Sequence, residues 1–168
     1  PEEIFARFKQ EYDKFWTEEN VAKARKLNLS KQQVSILASI VRAESNYAPE
    51  LPKIAGVYLN RLKTGMLLQA DPTVIFALGE RPKRVLKAHL QVDSPYNTYK
   101  HAGLPPAPIR FVNSRSIDAV LNYTQHQYIY MCAKEDFSGY HNFAASYSKH
   151  MENARRYQRA LNQRGITK

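Results

Sequence analysis

Apolar and polar positions alternate along most of this chain with the period of an amphipathic helix. Ile4, Phe8, Tyr12 and Phe15 fall near helical spacing, which predicts one amphipathic helix over residues 3–26. A second helix begins at Ser30. Gln33 completes a capping box there, and Leu29 and Val34 stand where a hydrophobic staple puts them. Its apolar stripe runs through Leu37, Ile40 and Val41, and Pro49 ends it at Ala48 or slightly before. A third helix is predicted from Pro52 to Lys63, with Ile54, Val57, Tyr58 and Leu62 inward and Gly65 past its end. The stretch ADPTVIFALG reads as a short helix with Asp71 at the N-cap, Pro72 at N1 and Gly79 after the end.

From residue 91 to 112 the periodicity stops. DSPYNTYKHAGLPPAPI has four prolines and a glycine, and its two tyrosines, Leu104 and Ile109 predict an ordered, packed loop. Asn113 or Ser114 caps a helix to about Tyr123. YIYMCA (128–133) and YHNFAA (140–145) read as paired strands around the turn KEDFSG. A last helix spans residues 146–163, with Tyr147, Met151, Ala154, Tyr157 and Leu161 on its inner stripe. The fold class is therefore α+β: a mainly helical single domain with one small antiparallel hairpin. There is no internal repeat and no linker.

The stripe of the second helix poses a chemical question. Its next position, i+7 from Leu37, is Glu44. A carboxylate on an inward face loses water, and desolvation raises its pKa. A carboxylic acid that keeps its proton near neutrality can protonate a leaving oxygen, as glycosidic cleavage requires. The structural alternative is a buried ion pair with Arg42 or Arg61. Ordinary glycosidases also need a second carboxylate. None announces itself: Asp71 reads as a helix cap, Asp93 and Asp136 as turn residues, and Glu50 and Glu80 as solvated. Tyr96 to Tyr99 could line a sugar site or simply build a turn. His141 and Phe143 share one strand face and Asn142 the other.

Composition adds less. With 168 residues and 43% hydrophobic content the chain can bury a real core. A net charge of +10 suits nucleic acid, anionic headgroups or an acidic cell-wall polymer. Neither a recognition-helix pattern nor an RNP-like strand favours nucleic acid. One cysteine, Cys132, excludes an internal disulfide. The histidines lack metal spacing, and no phosphate-binding glycine loop occurs, so neither metal nor cofactor is expected. The chain opens on PEEIF without Met, and we read it as a piece of a longer protein.

ILASIVRAES, IAGVYLNRL, GMLLQADPTVIFALG, SPYNTYKHAGLPPAPI and HNFAAS occur in this order and spacing. Together they resemble the catalytic domain of the endolytic murein transglycosylase (MltG, or YceG-like) family over about residues 30–163. The resemblance implies a domain at 30–168, preceded by a helical segment at 1–29, with a lysozyme-like active-site helix. It implies a cofactor-free lytic transglycosylase that cuts between N-acetylmuramic acid and N-acetylglucosamine in peptidoglycan glycan strands, leaving 1,6-anhydro ends. The muramyl C6 hydroxyl is then the nucleophile, so one acid suffices. Carried over residue by residue, the catalytic acid is Glu44, and Gln69, Asp71, Asn97, Tyr99, His141 and Asn142 are substrate-binding. Where family members often read VEKE, this chain reads VRAE, with Arg42 replacing the first acid and Glu44 keeping the second. The resemblance further implies a membrane anchor and a LysM-like subdomain outside this sequence, an extracytoplasmic catalytic domain, and work beside cell-wall synthases. A glycan-binding module without activity is the alternative.

Overall fold

The computed structural model describes residues 2–166. Among these, seven α-helices and one hairpin follow the chain as α1 (Glu2–Phe15), α2 (Glu18–Lys26), α3 (Lys31–Glu44), α4 (Leu51–Lys63), α5 (Asp71–Leu78), α6 (Ser114–Leu121), β1 (Tyr130–Ala133), β2 (His141–Ala144) and α7 (Tyr147–Gln163). The predicted α+β class is the one observed. The first helix is corrected: it breaks at Trp16 and Thr17. Thr17 caps α2 by accepting from the Asn20 N–H, and Glu18 and Glu19 in the first turn suit the positive end of the helix. Trp16 turns into the core, whereas Ile4, Phe5 and Phe8 on α1 stay exposed.

The core lies between α3, α4 and α6. Helix α3 starts at the predicted capping box, where the Ser30 hydroxyl accepts from Gln33 N–H and the Gln33 side chain accepts from Ser30 N–H. Its residues Val34 to Val41 are all buried. Helix α4 buries Ile54, Ala55 and Tyr58 in the same core, while Val57 faces the cavity. Gly56 permits a backbone approach here: a Cβ would lie 2.6 Å from both His126 Nε2 and the Thr124 carbonyl. Polar side chains of α4 then tie down the segment leading into the hairpin. Asn60 donates to the carbonyls of His126 and Tyr128, and Arg61 Nε donates to Ile129 O at 2.6 Å.

The two strands pair antiparallel with Met131 opposite Phe143 and Ala133 opposite His141. The predicted long loop is packed. Asn97 is fully buried, and its amide donates to the carbonyls of Leu90 and Val92. The Thr98 hydroxyl accepts from Ala70 N–H and is hydrogen-bonded to the Thr73 hydroxyl at 2.8 Å, and Ile109 N–H donates to Ser39 Oγ on α3. These bonds hold the loop against α3 and α5, which fixes the floor beneath the site. No helix among the described residues is long and apolar enough to cross a membrane.

Candidate active site

Glu44 is the last residue of α3, where the apolar stripe runs out of the core into a cavity of about 610 Å³. Its carboxyl remains partly exposed there. Burial pushes its pKa up to about 7, against the Tyr58 hydrogen bond and the charge of His141, which pull it down. The C-terminal end of a helix dipole also disfavours a negative charge. Tyr58, buried on α4, donates its hydroxyl to Glu44 Oε1. Burial and the adjoining carboxylate hold that phenol far above its ordinary range, so it stays a donor. A neutral carboxyl accepts best at its carbonyl oxygen. Tyr58 therefore selects Oε1 as carbonyl and leaves the acidic proton on Oε2.

The alternative, an ion pair, is not the arrangement found. Arg42 turns away from the cavity and donates to Phe111 O at 2.7 Å. Arg61, buried, donates to the carbonyls of Leu67, Leu68 and Ile129. Neither forms a salt bridge with Glu44 among the described residues.

Four more of the residues singled out in the sequence line the same cavity: Gln69, Asp71, Tyr99 and His141. Gln69 is exposed on the cavity wall in a left-handed conformation, φ 49°, which non-glycine residues seldom adopt. Its N–H is bonded to Thr98 O at 3.0 Å. Asp71 is not the helix cap that was expected. Its side chain accepts instead from the Tyr99 hydroxyl at 2.5 Å, and the helix is capped from Ala70 without a side-chain bond. Asp71 is reached by solvent yet flanked by the cavity walls. This partial desolvation raises its pKa, and the Tyr99 bond opposes the rise. Tyr99 is pushed up in turn by burial and by Asp71.

His141 is held by a residue that the sequence reading missed. Glu50, expected to be solvated, is 7% exposed; it accepts from His141 N–H at 2.8 Å and its other oxygen lies 2.9 Å from His141 Nδ1. Nε2 is thereby directed away from Glu50. Two proposed binding residues do not join the cluster. The buried amide of Asn97 is consumed by loop carbonyls, and Asn142, on the opposite strand face from His141, donates to Glu135 Oε2 at 2.9 Å.

The other walls come from residues 81–85 and from α7, whose stripe of Tyr147, Ala154, Tyr157 and Leu161 faces the cavity. Of that stripe only Leu161 is buried; Tyr147 is 62% exposed. Met151, placed on the same stripe in the sequence, does not line the cavity, and the buried Asn153 lies off that stripe, so the period marks a cavity wall more than a core.

Residues 1–156 match the sequence pattern of the YceG-like family. A curated relative named endolytic murein transglycosylase, from Bacillus subtilis, is 41% identical over 116 residues, covering 66% of this chain and 32% of the relative. A Streptococcus pneumoniae protein of the same name is 32% identical over 111 residues, covering 63% of this chain and 20% of its own length. The crystal structure of a YceG-like protein from Listeria monocytogenes superposes with a TM-score of 0.70 at 36% identity, over 79% of this chain and 44% of that one. The chain thus spans a fifth to a third of the length of these curated relatives.

Proposed function

Because the chain belongs to the YceG-like family, we propose that it carries the catalytic domain of an endolytic murein transglycosylase acting on peptidoglycan glycan strands. The observation that carries this reading is Glu44: a carboxyl with its pKa near 7, open to a cavity, hydrogen-bonded by a phenol and free of an arginine partner. Such a group is half protonated at neutrality and can act as acid and then as base.

The steps balance without water. Oε2 of Glu44 gives its proton to the oxygen linking muramyl C1 to the next sugar, and the C1–O bond breaks. The muramyl C6 oxygen bonds to C1, and its proton returns to the Glu44 carboxylate. A 1,6-anhydro end and a free 4-hydroxyl result. Asp71, anchored by Tyr99, stands ready to offset positive charge developing at C1. His141, oriented by Glu50, and Gln69 supply polar contacts to sugar hydroxyl or acetamido groups. Arg42 lies outside the cavity lining, so the departure from VEKE leaves this chemistry intact.

A second reading has one observation in its favour. Asp71 is a second carboxylate on the same cavity, which a water-using glycosidase would employ. Incubating the chain with glycan strands and weighing the ends by mass spectrometry separates the readings. Anhydro-muramyl ends support the lyase, ends heavier by one water a hydrolase, and intact strands a binding module. Glu44→Gln should lose about 10²–10⁴-fold or more of the cleavage; a variant that kept most of it would remove Glu44 from the mechanism. Peptidoglycan lies outside the cytoplasmic membrane, so this substrate would set the compartment. Attachment to the membrane and work beside synthases are proposed for the longer protein.

A further inference from the structure

The cavity has a cationic wall that glycosidic cleavage does not use. Arg81, Lys83 and Arg84, within the sequence RPKRVLK, all line it. Arg84 is the fastening: its guanidinium donates to Asn162 Oδ1 at 3.3 Å and Ile166 O at 3.2 Å, tying this strap to the end of α7. Arg81 and Lys83 are exposed and take part in no salt bridge or side-chain hydrogen bond among the described residues. The acids on the cavity, Glu44 and Asp71, are engaged by Tyr58 and Tyr99. Two unneutralised cations thus face a cavity whose proposed ligand has a largely uncharged sugar backbone.

In peptidoglycan the anionic groups sit on the muramyl lactyl arm, chiefly as the carboxylates of its peptide stem. We propose that Arg81 and Lys83 form a carboxylate-binding subsite for the peptide stem, so that the cavity selects stem-bearing strands over stripped ones. This rests on the murein reading above and deepens it. Arg81 offers a planar fork for bidentate contact, and Lys83 a point charge on a flexible arm. Arg84, already spent on α7, keeps the strap in position.

The test measures binding of glycan strands to the chain carrying Glu44→Gln, which prevents turnover. Strands with intact stems are compared with strands stripped by an amidase, at several salt concentrations. Stem-bearing strands should bind more tightly, and the preference should shrink as salt rises. Adding Arg81→Gln and Lys83→Gln should lower affinity for stem-bearing strands about three- to tenfold, the range of two partly screened charge pairs. The preference should then vanish. Both positions are exposed, and an unchanged thermal melt verifies the fold. Equal affinity for the two kinds of strand, or a preference that survives the double substitution, overturns this subsite and leaves the murein reading standing. If neither strand binds, both fall together.

Discussion

Replacing Glu44 by Gln should make the protein more stable, and only above a certain pH. The carboxyl titrates at 4.5 in the unfolded chain and at about 7 in the native one. Between those values the folded protein retains a proton that the unfolded chain has released. Stability therefore falls as pH rises through this window; the full contribution is present below 4.5, and the loss is complete above 7. At ~1.36 kcal/mol per pH unit the gap is worth about 3 kcal/mol. Glu44 is partly exposed, and solvent screening reduces this to about 2 kcal/mol. Gln at this position still accepts the Tyr58 hydroxyl but has no proton to lose. In a chain of this size that predicts a melting temperature about 4–8 °C higher for Glu44→Gln at pH 8. At pH 4 the two should melt alike. Circular-dichroism melts of both proteins across pH 4–8 at one ionic strength supply the difference curve, in which all other titrations cancel. A flat difference curve would refute the perturbed acid, and with it the proton donor.

The same pKa predicts that cleavage declines above pH 7 as the donor ionises, read from the alkaline limb of kcat/KM. Tyr58→Phe removes the hydrogen bond that favours the carboxylate, so that limb should move to higher pH while the rate drops through lost positioning of Oε1. Glu50→Ala strands the His141 N–H and ring in a buried site; it should destabilise by about 1–3 kcal/mol in a denaturant melt and weaken cleavage, because Nε2 loses its orientation. Gly56→Ala drives a Cβ into His126 and the Thr124 carbonyl and should lower stability by about 1–3 kcal/mol, with no change in the pH at which cleavage declines.

Local signals in the sequence found most of the helices because capping is local. Ser30 with Gln33 and Asn113 at the start of α6 cap as expected, and the structure adds Ser146 as the cap of α7. The break at Trp16 and Thr17 was also written locally, in Thr17 and the two acids behind it, but the wider apolar spacing concealed it. Glu44 was legible for a different reason: a carboxylate in phase with Leu37, Ile40 and Val41 must either meet a partner or reach a cavity. What could not be read depends on distant contacts. Asp71 meets Tyr99 from 28 positions away, and Glu50 meets His141 from 91 positions away. Asn97 looked like a ligand for sugar because an exposed amide and an amide that satisfies loop carbonyls have the same sequence signature.

One consequence ties the core to the chemistry. Helix α4 delivers Tyr58 to Glu44 and, less than one turn later, Arg61 to the backbone at Leu68 and Ile129. Tyr58 sets which oxygen carries the proton. Arg61 holds the segment leading into the hairpin that brings His141 to the cavity and the segment that presents Gln69. Burial of α4 against α3 is thus what makes Glu44 both hydrophobically surrounded and correctly aimed. A repacking of this interface, such as Ile54→Ala, should shift the acid as well as the melting temperature. Stability and the pH of activity would then move together, whereas a loss of packing on α2 would move stability alone.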